Sequence, residues 1–108
     1  MKKQNRTAEA KARRYIKVKT WRRNTKIKLV EGFGGACGLC GLKDDPIIYD
    51  FHHVDPSKKE FSLAGKIRSI DSLIEESNKC IMLCSHCHRK IHANMVSLPK
   101  QYPKFSPP

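Results

Sequence analysis

Long apolar runs, acidic residues near the N-terminus and aromatic side chains are all scarce in this 108-residue sequence. No stretch reaches the roughly 18 apolar residues of a membrane-spanning helix, and no apolar stretch follows the basic N-terminus as in a secretory signal. We therefore expect a cytoplasmic protein with no membrane partner. Only 7% of the residues are aromatic and they form no evident stacking platform, which argues against an RNA-binding module.

The scarcity of acid makes the N-terminal region strongly basic. Residues 1–30 contain 12 Lys and Arg but one acid, Glu9, for a net charge of +11, whereas the remaining residues carry only +1. We interpret residues 1–30 as a basic arm or helix that binds DNA, which is favoured over membrane because the arm lacks a strong apolar face. A solvated basic tail is the alternative. Apolar residues and helix formers between Tyr15 and Val30 predict a helix there.

Four of the five cysteines stand in two Cys-x-x-Cys pairs, Cys37 with Cys40 and Cys84 with Cys87. Each pair can direct two thiolates to one side of a tetrahedral ion, so the four residues predict a structural zinc site. Zinc would supply folding free energy that a domain of this size needs. Disulfides are the alternative, disfavoured by the odd count and the expected reducing compartment. Cys80 lies in an apolar run and is predicted to be buried rather than a ligand.

Two short strands are predicted, at residues 47–51 and 80–83, from their apolar, β-branched and aromatic composition. His52 and His53 directly follow the first strand. In a regular strand adjacent side chains point to opposite faces, so a site that uses both histidines would need a twist or a bulge there.

Two further helices are predicted, each beginning at a residue whose side chain can cap a helix N-terminus. One begins at Ser69 or Asp71 and runs to Glu76, with Glu75 and Glu76 exposed. Another runs from Ser85 to about residue 94. Prolines concentrate at the C-terminus, so residues 99–108 are predicted to form an extended Pro-rich tail. The fold class is therefore a small α+β domain.

The histidines form a second set of potential ligands. His88 and His92 are four apart on the last predicted helix and therefore share one face. Together with His52 and His53 they offer four imidazoles. Three imidazoles on one divalent ion leave coordination positions for water or a phosphate oxygen, and an unligated fourth can take a proton from water. A Lewis acid and a general base beside a basic arm indicate phosphodiester hydrolysis.

Several ligands and glycines occur in an order and spacing that rarely arise by chance. They are Gly34-Gly35-Ala36-Cys37-Gly38-Leu39-Cys40-Gly41, then Asp50-Phe51-His52-His53-Val54-Asp55-Pro56, then Asn78, then Cys84-Ser85-His86-Cys87-His88-Arg89-Lys90-Ile91-His92. The segment that contains them resembles the HNH endonucleases, above all the small zinc-knuckle members of phages and bacteria. The resemblance implies a ββα-metal finger with a four-cysteine zinc site, and an HNH nuclease domain over residues 31–98.

The resemblance also implies a role for each residue. His53 would be the general base that activates water, and Asn78 would orient His53 through hydrogen bonds. Asn78 would equally suit the C-cap of a helix. The implied ligands of the catalytic metal are His52, His88 and His92. Many family members have Asp at the position of His52, and three imidazoles suit Mn, Ni, Co or Zn better than Mg.

We therefore expect a metal-dependent HNH endonuclease that nicks or cuts double-stranded DNA in a bacterial cell or phage-infected host. The alternative is a non-catalytic zinc-binding module that binds nucleic acid. Such a module has no need for a histidine pair in addition to His88 and His92, which favours the enzyme. Some small family members accompany phage DNA packaging, so a terminase and a portal are further candidate partners by analogy.

Overall fold

The computed structural model describes residues 7–63, 65 and 67–107, and the first six residues of the predicted arm and the last residue of the predicted tail lie outside them. The regular elements in chain order are α1 (Ala8–Gly32), β1 (Tyr49–His53), α2 (Ile70–Ser77), β2 (Cys80–Cys84) and α3 (Ser85–His92). Single 3₁₀ turns at Pro46–Ile48 and Pro56–Lys58 flank β1. None of the described helices is long and apolar enough to cross a membrane.

The two strands pair antiparallel and the second leads directly into α3. Tyr49 lies opposite Cys84 and His53 opposite Cys80, with every residue between them paired in step. All five residues of β2 are buried, which explains why its sequence is a continuous apolar run rather than an alternating one. The predicted small α+β fold with a ββα-metal finger is confirmed.

Helix α1 is longer than the predicted segment. Its N-terminus is capped by Thr7, whose hydroxyl accepts a hydrogen bond from the backbone N–H of Ala10 at 3.1 Å. Most of the helix is exposed, and only its last turn, with Leu29 and Val30, is buried. The helix ends at Gly32, and Gly34 then takes a positive φ of 91°, which redirects the chain towards the first cysteine pair.

The core lies between the C-terminal turn of α1, the hairpin and α2. Its largest fully buried apolar side chains are Phe33, Tyr49, Leu73, Ile81, Met82 and Leu83. The hydroxyl of Tyr49 donates to the carbonyl of Leu42 at 2.8 Å and accepts from the N–H of Asp44 at 2.8 Å. These bonds satisfy a polar atom inside the core and tie the loop after the first cysteine pair to β1.

The C-terminal segment is extended, as predicted, but it does not run free through solvent. Phe105 is buried against the end of α1, and the N–H of Ser106 donates to the carbonyl of Gly32 at 2.8 Å. Residues near the C-terminus are thus part of the core. Proline content predicted the lack of helix, whereas the docking of one phenylalanine depends on contacts that composition does not reveal.

Candidate metal centres

The structure brings the four paired cysteines together. The Sγ atoms of Cys37, Cys40, Cys84 and Cys87 all lie within 4.8 Å of one another, and none of the cysteines is in a disulfide. The Sγ atoms of Cys40 and Cys84 are 3.8 Å apart. A tetrahedral ion with Zn–S bonds of about 2.3 Å requires sulfurs about 3.8 Å apart, so the donor set fits zinc. The thiols are clustered but not bonded to one another, which favours the metal site over the disulfide alternative.

Backbone N–H groups point at the sulfurs. Those of Leu39 and Cys40 each lie 3.4 Å from Sγ of Cys37, and that of Cys87 lies 3.4 Å from Sγ of Cys84. Burial raises the pKa of the Cys37 thiol, but backbone hydrogen bonds outweigh burial and lower that pKa to about 6. A thiolate is the form that binds metal, so this arrangement prepares Cys37 as a ligand.

Two glycines allow the loop with the first cysteine pair to pack closely against the hairpin. The N–H of Gly38 donates to the carbonyl of Met82 at 2.8 Å, and a Cβ at Gly38 would lie 2.8 Å from the Ile81 side chain. Only glycine allows the loop to approach β2 this closely. Gly41 has a positive φ of 76°, as the tight turn around a metal requires. The loop that carries Cys37 and Cys40 is therefore held against the strand that carries Cys84.

A second cluster consists of three imidazoles. Ring nitrogens of His52, from β1, and of His88 and His92, from α3, lie within 4.8 Å of one another. The Nε2 atoms of His88 and His92 are 2.9 Å apart. Two nitrogens bound at about 2.1 Å to one ion lie about 3.0 Å apart at a right angle, so the pair suits adjacent positions on a metal. Burial, followed by the neighbouring imidazoles, lowers the pKa of His52 and favours its neutral, metal-binding form.

Asp50 orients one member of this cluster. Its Oδ2 atom lies 3.1 Å from Nδ1 of His88. A metal-binding histidine usually donates its second ring N–H to a carboxylate or carbonyl, which fixes the ring and leaves the other nitrogen for the metal. The contact leaves Nε2 of His88 directed at His92. From the sequence, Asp50 could equally be an acceptor that supports the metal ligands or a surface acid, and its position two residues before His52 places both on the same face of β1.

His53 lies on the other side of the sheet from His52. The strand is regular through His53, so the predicted twist or bulge is absent and the two adjacent side chains take opposite directions. His52 meets α3, whereas the Nε2 atom of His53 lies 2.7 Å from Oε2 of Glu76 on α2. His53 is 7% exposed and belongs to neither cluster of potential metal ligands.

Glu76 is buried, at 1% exposure, and the expectation that it faces solvent is wrong. It follows Leu73 by three residues and therefore shares the inner face of α2, whereas Glu75 is exposed as predicted. Its Oε1 accepts from the Lys79 ammonium at 2.9 Å and its Oε2 from the N–H of Glu60 at 3.0 Å. Burial would raise the pKa of Glu76, but these hydrogen bonds, together with the one from His53, lower it to about 2.

Asn78 is the C-cap of α2 and is exposed. Its backbone N–H continues the helical pattern, since it donates to the carbonyl of Ile74 at 3.3 Å. Within the described residues its side chain makes no hydrogen bond to His53, whose Nε2 is held by Glu76 instead. A role for Asn78 in orienting His53 stays a prediction.

One cleft of about 420 Å³ connects the two kinds of histidine. The residues that line it include His52, His88 and His92 of the imidazole cluster and also His53. Lys26 from α1 and Lys59 from the loop after β1 also line the cleft. Sequence reasoning did not single out these two lysines, because nothing in their local sequence distinguishes them from the other basic residues.

Comparison with known proteins gives a partial similarity. No family model matches the chain, and no solved structure matches it. Two curated proteins do, both named group II intron-encoded protein LtrA, from Lactococcus lactis subsp. cremoris and from its strain MG1363. Each is 36% identical over 55 residues, which are 51% of this chain but 9% of the relative. The chain thus matches a short segment of much longer proteins.

Proposed function

We propose that the protein is a metal-dependent HNH endonuclease that hydrolyses phosphodiester bonds of DNA. The observation that carries this proposal is the shared cleft, which joins a three-imidazole cluster to a fourth histidine outside it. A zinc module that only binds nucleic acid needs the four cysteines and the basic helix but neither feature of this cleft. The order of the ligands along the chain, with its resemblance to HNH endonucleases, supports the same conclusion.

The proposed reaction uses His53 as the general base. Its imidazole takes a proton from a water molecule in the cleft, and the water oxygen bonds to phosphorus. The 3′ oxygen leaves with the electron pair of its bond to phosphorus and takes up a proton from solvent. The chemistry that a divalent ion supplies when bound by His52, His88 and His92 is Lewis-acid stabilisation of charge on the phosphate oxygens. Asp50 holds His88 in the orientation that this binding requires.

The basic residues position the substrate in this proposal. Helix α1 presents its Lys and Arg side chains along an exposed surface, and Lys26 near its C-terminal end lines the cleft. A DNA backbone that follows α1 would therefore be led to the imidazole cluster. Lys59 lines the same cleft. Because lysines on phosphates carry little sequence information, we propose that double-stranded DNA is bound through its backbone.

Two biological settings follow from different resemblances. The likeness to small phage HNH endonucleases suggests cleavage during DNA packaging, with a terminase and a portal as partners. The similarity to a group II intron-encoded protein instead suggests cleavage linked to an intron. Adding a terminase and a portal to the cleavage assay distinguishes the two settings, since only the packaging role predicts a change in the rate or product of cleavage.

The test is cleavage of supercoiled plasmid with EDTA, Mg, Mn, Ni, Co or Zn, by the wild type and three variants. His53→Ala should retain its fold and zinc yet lose about 100- to 10,000-fold in rate, the usual contribution of a general base. His92→Ala removes one proposed metal ligand, so it should need a higher concentration of the divalent ion to reach half of its maximal cleavage rate. His86→Ala is the matched control, because His86 is exposed on α3 and belongs to neither cluster. No cleavage by folded, zinc-loaded wild type with any ion would contradict the proposal and favour the binding module.

A further inference from the structure

The contact between Glu76 and His53 has no part in the reaction as described so far. Glu76 is a charged residue on the inner face of an eight-residue helix, at 1% exposure. Burying a carboxylate costs free energy, and an apolar side chain at this position would avoid that cost. Packing alone therefore does not explain a carboxylate here.

The other partners of Glu76 determine the direction of its hydrogen bond with His53. Lys79 donates to Oε1, and the backbone N–H of Glu60 donates to Oε2. Both oxygens thus act as acceptors from groups that can only donate. The remaining partner of Oε2, the Nε2 atom of His53 at 2.7 Å, is consequently also a donor. The proton of the neutral imidazole lies on Nε2.

This arrangement leaves the lone pair of His53 on Nδ1. Among the described residues Nδ1 makes no hydrogen bond, and no described side-chain nitrogen or oxygen is both unpartnered and sealed from solvent. Nδ1 is thus the ring nitrogen that keeps a lone pair able to accept a proton. His53 lines the cleft that also contains His52, His88 and His92, so the residue borders the space that water can enter beside the imidazole cluster.

We propose that Glu76 is the positioning residue of His53, which fixes the imidazole in the Nε2–H tautomer so that Nδ1 accepts the proton of the attacking water. The inference deepens the proposed function and rests on it. Glu76 touches neither substrate nor metal ligands and acts through His53. As water loses its proton to Nδ1, the carboxylate also stabilises the imidazolium that forms. Lys79 and the N–H of Glu60 hold the carboxylate itself in place.

The first experiment measures the tautomer directly. In the full chain purified with its zinc, imidazole ¹⁵N spectra at alkaline pH should show His53 with a single ring proton, on Nε2. The assignment comes from the resonance that His53→Ala removes. A wild-type spectrum with the proton on Nδ1 overturns the inference. This measurement needs no Glu76 variant to fold.

The second experiment compares Glu76→Gln with Glu75→Gln. The two residues are neighbours on α2 and each substitution removes one negative charge, but Glu75 is exposed and has no part in the site. We expect Glu76→Gln to lower kcat by about 100- to 10,000-fold, as when the acid partner of a catalytic imidazole is neutralised, with KM for DNA and zinc content unchanged. The amide would bring its NH₂ group to Nε2 in part of the molecules, so the spectrum should also show the Nδ1–H tautomer. Glu75→Gln should match the wild type.

The outcomes separate this inference from the function on which it rests. A wild type that cleaves DNA beside a Glu76→Gln variant with equal kcat overturns the role of Glu76 and leaves the nuclease intact. A wild type that cleaves no DNA overturns both the nuclease and the catalytic role of Glu76. The ¹⁵N spectrum would then still show whether Glu76 holds His53 in the Nε2–H tautomer. In a His53→Ala background, Glu76→Gln should cause no further loss of rate, because a residue that acts only through His53 has nothing left to position.

Discussion

The ring of Phe105 packs edge-on against the ring of Phe33, with the two centroids 5.2 Å apart. Phe33 in turn stacks on Phe51 of β1, at 5.6 Å between centroids. A residue near the C-terminus is thus linked through the end of α1 to the strand that carries His52 and His53. The packing of the C-terminal segment contributes to the position of the site.

Gly32→Ala should disturb this packing. A Cβ atom at Gly32 would lie closer than 3.0 Å to three ring atoms of Phe105, which must then move away. Overpacking of this kind typically costs about 1–3 kcal/mol, so the urea midpoint of the zinc-loaded variant should fall below that of the wild type. The double variant Gly32→Ala/Phe105→Ala should be no less stable than Phe105→Ala alone, because the clashing ring is gone. Additive losses in the two variants would contradict the proposed clash.

Removal of a zinc ligand should unfold the protein. Cys84→Ser should lose bound zinc and cooperative unfolding, since structural zinc contributes about 10–16 kcal/mol against a total domain stability of about 5–15 kcal/mol. Cys80→Ser is the matched control in the same strand. Burial raises the pKa of the Cys80 thiol to about 12, and its sulfur lies outside the four-cysteine cluster. Elemental analysis measures the loss of zinc, and the circular dichroism spectrum measures the loss of fold. A folded, zinc-loaded Cys84→Ser variant would refute the structural site.

The local ligand pairs within the two clusters could be predicted from the sequence because the spacing of such a pair is a local property. A Cys-x-x-Cys pair brings its own sulfurs together, and His88 and His92 share a helix face whatever the rest of the chain does. The capping of α2 by Ser69 could be predicted for the same reason, since the hydroxyl of Ser69 accepts from the N–H of Ser72 three residues later.

The partner of His53 could not be predicted in this way. Glu76 is 23 residues from His53, and its oxygens also meet the backbone of Glu60, 16 residues before it, and Lys79, three residues after it. The sequence of a short helix does not distinguish a buried carboxylate from an exposed one, because burial depends on the three hydrogen-bond donors that the fold places around it. The helical spacing from Leu73 was the one available signal of burial. It could not identify which residue Glu76 would meet.

The pH dependence of stability should show the buried state of Glu76. Its pKa falls from an ordinary 4.5 to about 2 in the folded protein. A depressed folded pKa means that the unfolded chain binds the proton more tightly, so this contribution to stability is complete above pH 4.5 and is lost as pH falls towards 2. Urea unfolding of Glu76→Gln should lose this part of the acid dependence, while Glu75→Gln should keep it. Parallel curves for the wild type and Glu76→Gln would contradict the ionised, buried carboxylate.

The basic helix should account for the salt dependence of DNA binding. Deleting residues 1–20 removes 8 of the 22 Lys and Arg residues but keeps Trp21 and Leu29, which pack on or within the core. For each phosphate that the shortened protein no longer neutralises, the slope of log affinity against log salt concentration should become shallower by about 0.9, and zinc content should not change. The control is Lys100→Ala/Lys104→Ala, which removes two exposed cations from the C-terminal segment. Fluorescence anisotropy with a duplex between about 50 and 200 mM salt measures the slope. If the deletion leaves the slope unchanged while the control reduces it, the DNA follows the C-terminal segment rather than α1.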